Sequence, residues 1–372
     1  MKITDIKAVP VTLRTKGTFK MAGRPAFNAA QQVFVRIEAD KGIFGIGETS
    51  GFPVTYGETQ TAIVHIINDY LKPAIIGMNP LYMNSILDKI DEMLYPPEGS
   101  NGSKAAMDIA LHDLCGKILG IPVHVLLGGK VRDEVESLGG DFLRKPEENA
   151  EHMSMLADQG FKMFKVKLGS PDPEEDVARM RAVRMAIGDE AGIMADANEG
   201  YPNAKTAIKY LKRMEEYNID LVEQPVKAWD ITGLKEIKNN IGISVLACES
   251  IVSPARAVRI IKEEAADVIN IKLRRLGGIR KAVQVIKLAE AANIPCHIST
   301  IVESGLMTAA MIHLAAAMKN VYLPNRTACV HLSGPRRVED IVSGLEHDPF
   351  YRIYRVPDLP GLGIELTKNI FE

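Results

Sequence analysis

From position 161 onward the chain repeats one unit. Short apolar runs at 161–167 (FKMFKVK), 193–196 (IMAD), 221–223 (LVE), 245–249 (VLACE), 268–272 (VINIK) and 295–299 (PCHIS) alternate with amphipathic stretches over 173–187, 203–217, 253–265 and 278–291. The runs end at 167, 196, 223, 249, 272 and 299, which are 29, 27, 26, 23 and 27 residues apart. One strand, one helix and two short loops occupy that length, and such repeated units with non-alternating apolar strands build a parallel sheet covered on both faces. The sheet is either open or closed into a barrel. No Gly-rich phosphate turn marks an open nucleotide-binding sheet, and seven or eight units fit between about 135 and 345. The expectation is an α/β chain with a (β/α)8-type barrel over 128–355.

Residues 1–127 read differently, as an α+β capping domain. The first 13 residues alternate like a strand, and 31–48 holds two strand runs joined by Asp40-Lys41-Gly42, a hairpin signal. Helical stretches follow at 58–76, 81–95 and 103–119, the last with Ala106, Ile109, Ala110 and Leu114 as an apolar stripe. The polar segment 14–28 reads as a loop carrying Lys16, Lys20 and Arg24. The tail, 356–372, is strand-like after a Pro/Gly turn and is expected to rejoin the cap. Gly42, Gly45 and Gly47 lie between strand-like residues, so their spacing marks a hairpin and not a dinucleotide site.

Charge excludes several partners. Lys+Arg 45 against Asp+Glu 47 leaves a net charge of −2, where nucleic acid or an anionic membrane surface calls for a basic excess. The most apolar stretch, 307–318, is far shorter than the ~20 residues of a membrane span. The N-terminal residues lack the layout of a secretory signal, and the 4 cysteines form no C-x-x-C pair, so a cytoplasmic location is expected. No G-x-S-x-G, H-E-x-x-H or P-loop occurs.

Five consecutive strand runs finish on a charged residue: Lys167, Asp196, Glu223, Glu249 and Lys272. In a barrel these ends form the mouth where active sites sit. Three converging carboxylates repel one another, and a hard divalent cation relieves that; oxygen ligands favour Mg²⁺, with Mn²⁺ as the alternative. Lys167 and Lys272 then flank the cation. A lysine of depressed pKa is a suitable base for a carbon acid, and both the cation and Lys165 would depress Lys167. The chemistry suggested is removal of a proton next to a carboxylate, with the second lysine returning a proton or protonating a leaving group.

The residues resemble the enolase superfamily, in its muconate lactonizing enzyme subgroup, over nearly the whole chain. Lys165-Val-Lys167 is similar to the K-x-K of the second barrel strand. Asp196 in MADANEG and Glu223 in LVEQP resemble the first two metal ligands, and Asn270-Ile-Lys272 before Gly277-Gly278 the sixth-strand lysine. The stretch from Lys104 to Lys117, the segment from Ser299 through Thr300 to Glu303, and Pro360-Gly-Leu-Gly363 resemble further family segments.

The resemblance implies a Mg²⁺-dependent isomerase: a racemase or epimerase of an amino-acid derivative, or a muconate-type cycloisomerase. A β-elimination lyase uses the same residue set, and an inactive metabolite-binding barrel is the alternative of another class. It also implies a small-molecule carboxylate substrate, a homo-oligomer, and cap loops at 14–28 and 49–58 that close over the mouth.

Two departures stand out. The subgroup carries Asp-Glu-Ser at the fifth strand where this chain reads Cys248-Glu249-Ser250. Glu249 is expected to reach the cation by a small shift of the strand end, the alternative being a two-carboxylate site completed by water. Dipeptide epimerases of the subgroup carry Asp-x-Asp at the eighth strand, where 327–334 has no carboxylate, which weighs against a dipeptide substrate. Asn198, Ser299, Thr300, Glu303, His331 and Lys20 are the expected substrate-binding residues. His297 is expected to be a buried supporting histidine, Arg274 and Arg275 solvated loop charges, and Cys115, Cys296 and Cys329 small core residues.

Overall fold

The computed structural model describes residues 1–96, 98–140, 142–322, 329–330 and 338–372; of Cys329 and Val330 only the backbone is described. His331 and most of 327–334 therefore lie outside the described residues.

Strands β1 (Ile3–Phe19), β2 (Phe27–Ala39) and β3 (Phe44–Ser50) form an antiparallel sheet in that order. β2 and β3 are joined through Asp40–Gly42, with Val35 opposite Gly47. β1 extends through most of the segment read as a polar loop, because Arg14 still pairs with Ala29 and Phe19 with Phe27. Only 20–26 remains as the connecting loop. One face of this sheet buries Ile6, Val33, Val35 and Ile37 against Ile63, Ile67, Ile86, Ala106 and Ala110. The helix Asn101–Leu119 is buried on every side as far as Gly116, although its stripe suggested a one-sided helix. It is a spacer between two apolar bodies, with the cap sheet on one side and the barrel on the other. Gly45 and Gly47 allow it to lie that close. A Cβ on Gly47 would sit 2.0 Å from the Ala106 carbonyl oxygen, and one on Gly45 2.2 Å from that of Ala110.

The second body is the barrel. β4 (Glu134–Ser137) leads into β5 (Gly139–Gly140), followed by β6 (Met163–Lys167), β7 (Gly192–Asp196), β8 (Leu221–Glu223), β9 (Ser244–Ala247), β10 (Val268–Ile271) and β11 (Cys296–Ile298). β5 to β11 pair in parallel, each with its neighbour in the chain, and each β6–β11 strand is preceded by a helix. β12 (Cys329–Val330) pairs in parallel with β4, which brings the last strand round to the first. This is the curled sheet of a TIM-like barrel. Alternation along the strands is retained inside it: Met163, Met194, Leu221, Leu246 and Val268 fill the interior with Leu138 and Cys248.

The two bodies are pinned by carboxylates on helix ends. Glu48 of β3 accepts hydrogen bonds from Ser304 N (2.8 Å), Ser304 Oγ (2.7 Å) and Met307 N (3.0 Å), at the start of the helix Gly305–Ala317. Asp108 accepts from Ile279 N at 2.6 Å, at the start of the helix Ile279–Ala291. The tail packs back on the cap: Gly361 N donates to Ile121 O at 3.0 Å and Leu362 N to Asp113 Oδ1 at 2.8 Å. No described helix is long and apolar enough to cross a membrane.

Candidate active site

Side chains two residues apart on a strand point to the same face. Met163, Lys165 and Lys167 on β6 therefore share the interior, as do Met194 and Asp196 on β7, and Leu221 and Glu223 on β8. On β10 the same parity carries Val268 to Asn270 and on to Lys272 just past the strand. Asp196 lies beside both Lys167 and Glu223 in register, so the charged ends form one ring above the apolar layer.

On β9, parity carries Leu246 to Cys248, not to Glu249. The sulfur is buried with the interior side chains, and Glu249 follows from the turn beyond the strand. The expected row of five charged strand ends is thus four charged residues and a cysteine, with Glu249 reaching over from a loop. The reason is the period of two, which no shift of one residue can satisfy for both side chains.

Ion pairs compensate the buried charges. Lys165 Nζ lies 2.6 Å from Glu223 Oε2 and 2.9 Å from Asp196 Oδ2. Lys167 Nζ donates to Asp196 Oδ2 and to Asn198 Oδ1, both at 2.6 Å. Burial disfavours the charged form of Lys165, yet Asp196 and Glu223 prevail and hold its pKa above the ordinary lysine value. Lys167 is lowered, chiefly by burial, with Asp196 opposing and the Lys165 ammonium adding to the lowering. Lys272 is raised: burial works against its charge, but Cys248, Tyr56 and Glu223 outweigh that. Asp196 is buried, and the neighbouring lysines hold it far below the usual carboxylate range. Burial, with Glu223 and Glu249 nearby, pushes the Cys248 thiol up to about 12.

Other expected residues fall into place unevenly. Asn198 bridges, donating through Nδ2 to Glu249 Oε1 at 3.3 Å while accepting from Lys167. Ser299 Oγ accepts from Asn270 Nδ2 at 2.9 Å. Thr300 lines a small cavity at the mouth, about 20 Å³, together with Lys165, Lys167, Asn198, Glu249 and Lys272. Glu303 is buried and accepts from Ile301 N at 2.6 Å. Lys20 is exposed and does not line this cavity; Arg24, four residues on, does. His297 is buried beside Asn270 in register.

Arg274 and Arg275 are not solvated. Arg274 Nη1 pairs with Glu58 of the cap at 2.8 Å, and its Nε donates to Ser50 O at 3.0 Å. Arg275 Nη1 donates to Cys248 Sγ at 3.0 Å. A one-turn helix, Leu273–Leu276, ends on Gly277 in the left-handed region and turns both guanidinium groups inward. Sequence reasoning also missed Gln224, whose Oε1 accepts from Cys248 N and from Ser250 N and Oγ. A polar residue directly after a strand-end ligand was the available signal.

The donor set suits a divalent cation. The ligand atoms of Glu223, Cys248 and Glu249 lie within 4.8 Å of one another, Asp196 adjoins Glu223, and Glu249 Oε2 is buried without a hydrogen-bond partner among the described residues. A buried carboxylate oxygen left unpaired is costly, and a cation relieves it.

Residues 3–128 match the mandelate racemase/muconate lactonizing enzyme N-terminal domain, and residues 148–370 the enolase C-terminal domain-like family. The chain is 36% identical to the L-Ala-D/L-Glu epimerase of Clostridium acetobutylicum, over 99% of this chain and 100% of that protein. It is 34% identical to the N-succinyl-L-Arg/Lys racemase of Bacillus cereus, over 100% and 97%. A dipeptide epimerase from Cytophaga hutchinsonii, solved with Mg and the dipeptide D-Ala-L-Val, superposes with a TM-score of 0.93 at 31% identity, covering 100% of this chain and 98% of that one. The chain belongs to the mandelate racemase/muconate lactonizing enzyme family of the enolase superfamily and is a Mg²⁺-dependent isomerase.

Proposed function

We propose that the chain catalyses a 1,1-proton transfer, racemising or epimerising the α-carbon of an N-acylated amino acid. One observation carries this reading: two buried lysines, Lys167 from β6 and Lys272 from the end of β10, line one small cavity with opposite displacements of their pKa values. A cycloisomerisation or an elimination needs only one base. A racemase needs a group on each side of the α-carbon, one without a proton and one with it.

In this reading Lys167, the lowered lysine, removes the α-proton of one enantiomer. Lys272, which keeps its proton, delivers it to the other face; the opposite direction exchanges the roles. Lys165 stays charged, steadies the substrate carboxylate and keeps Lys167 low. Asp196, Glu223 and Glu249 would hold Mg²⁺, which when bound supplies positive charge for the enediolate oxygens. Asn198 orients Lys167 and Glu249 together. Thr300, Ser299 and Glu303 shape the seventh-strand side, and His331 and Lys20 are kept as further substrate contacts of this reading.

The cavity between the lysines holds little more than a water molecule, so substrate is admitted by displacement of the cap segments that bear Met21, Arg24 and Thr55. An adjoining cavity of about 410 Å³ shares Arg24, Thr55 and Glu249 and is also lined by Tyr56, Arg274 and Arg275. With Glu58, Glu98 and Glu199 also in its lining, it offers a chamber of mixed charge, partly aromatic, for the acyl group. The absence of carboxylates in 327–334 weighs against a free ammonium, and Arg24, which lines both cavities, is the group that would read an anionic acyl chain.

The same reading includes a cap of 1–127 rejoined by 356–372, a barrel of 128–355, a cytoplasmic location and a homo-oligomer. Cys115, Cys248 and Cys296 are free thiols, and Trp229 is 75% exposed, available as a subunit contact.

The test is proton NMR in D₂O with Mg²⁺ and a panel of N-succinyl, N-acetyl and aminoacyl amino acids. Loss of the α-proton signal with racemisation is the expected result. Product formation by elimination or cyclisation, without α-proton exchange, would replace this reading.

A further inference from the structure

We propose that Cys248 is a metal ligand in this chain, so that the Mg²⁺ site also takes a borderline divalent ion (Mn²⁺, Co²⁺ or Zn²⁺) through sulfur as well as oxygen. The inference rests on the proposed metal site but not on the substrate. Three observations lead to it.

First, most of the carboxylate oxygens facing the site already have partners. Asp196 Oδ2 is taken by Lys165 and Lys167, and its Oδ1 by Asn198 N at 3.0 Å. Glu223 Oε2 accepts from Lys165 and Oε1 from Asn270 at 3.2 Å. Two further candidate ligands adjoin Glu223: Glu249, whose Oε2 is buried with no hydrogen-bond partner among the described residues, and the Cys248 sulfur.

Second, the spacing is that of a coordination sphere. Two ligands on opposite sides of an ion, at about 2.1 and 2.3 Å for oxygen and sulfur, stand about 4.4 Å apart. The ligand atoms of Glu223, Cys248 and Glu249 already fall within 4.8 Å of one another.

Third, the sulfur is held as an acceptor and not as filler. Arg275 Nη1 and Asn270 Nδ2 point at it from 3.0 and 3.1 Å. Cys296, buried elsewhere in the barrel, has one weak side-chain contact among the described residues, from Asn320 Nδ2 at 3.8 Å. Donors that orient a ligand atom are the usual supporting partners of a metal site. A coordinated cysteine is a thiolate, its proton passing to solvent as the ion binds. Sulfur favours Mn²⁺, Co²⁺ and Zn²⁺ over Mg²⁺ more strongly than carboxylate does, so one atom changes the selectivity of the mouth.

The experiment uses the full chain, stripped with a chelator and titrated with Co²⁺ alone. A sulfur-to-cobalt charge-transfer band in the near ultraviolet is expected, saturating at one equivalent and absent from Cys248→Ser. Equilibrium dialysis then compares Co²⁺ with Mg²⁺. The ratio of their affinities is expected to fall about tenfold or more in Cys248→Asp, which keeps a ligand but replaces sulfur by oxygen.

Co²⁺ binding without the band, a band that survives in Cys248→Ser, or an affinity ratio unchanged in Cys248→Asp would each overturn the proposal. Should Cys248→Ser not fold, the wild-type band and the Cys248→Asp ratio still decide. Lys167→Ala separates this result from the enzymatic reading. It is expected to keep the band while losing racemisation, and a wild-type chain that shows the band but exchanges no α-proton on any substrate defeats only the proposed reaction.

Discussion

The two lysines proposed to act on either side of the substrate are held in opposite ways. Lys167 is tied by two bonds of 2.6 Å, to Asp196 and Asn198, beside a second lysine. The ammonium of Lys272, equally buried, has no hydrogen bond or ion pair among the described residues; its electrostatic neighbours are Cys248, Tyr56, Glu223 and Arg275. One side is crowded with cations and carboxylates on β6 to β8. The other looks across at a sulfur and a phenol. A nearly symmetric pair in sequence thus becomes unequal through its neighbours, which is what a base and an acid of one reaction require.

The largest expected effect comes from deleting either side. Lys167→Ala and Lys272→Ala should each lower racemisation by roughly 10²–10⁴-fold. Each should also keep slow α-proton exchange with only one enantiomer, the two variants choosing opposite ones. NMR of the separate enantiomers in D₂O reads this; loss of the same enantiomer in both would collapse the two sides into one.

Lys165→Met attacks the crowded side. It leaves Asp196 and Glu223 short of a cation in the interior, and breaking a buried pair costs about 3–5 kcal/mol. Denaturation in chelator should show that loss, with Mg²⁺ restoring much of it. An unchanged midpoint would mean that Lys165 does not compensate the carboxylates.

The unequal lysines also predict a pH profile. Lys167 is lowered, so its free-base form becomes available as pH rises through a value below the ordinary lysine range. Lys272 is raised and loses its proton only above that range. Activity should climb on the acid limb, stay level, and fall on the alkaline limb. The limbs should coincide for both enantiomers, because each direction uses the pair with one proton. Two limbs that converge would place the lysines in equivalent settings.

The smallest effect is expected at the lid. Arg24 Nη2 lies 3.5 Å from Glu199, a contact that is partly exposed. Arg24→Gln should raise KM about tenfold for an N-succinyl substrate, and less for N-acetyl, with kcat little changed. Equal effects on both would show that Arg24 does not read the acyl charge.

Much of this arrangement is legible in the order of residues. The unit spacing implies a parallel sheet, the unit count and the missing phosphate turn favour its closure, and Lys167, Asp196, Glu223 and Lys272 stand at strand ends. Less visible are the groups whose place depends on a loop. Arg275 follows Lys272 by three positions and reads as a surface charge until the turn at Gly277 folds it onto Cys248. Lys20 and Arg24 share one polar segment, and only the course of β1 decides which of them lines the cavity.

The repeat and the inward face of each strand follow from residue order alone, because the period of a strand is local and survives without its neighbours. Cys248 falls inward on that rule, two positions after Leu246. Whether Glu249 joins the mouth depends instead on how the loops meet in three dimensions. Its carboxylate comes from beyond the strand, where no period applies, and is held by Asn198 from one loop and Arg275 from another. Contacts between loops of different strands require barrel closure, which brings together residues that lie 51 positions apart in the chain.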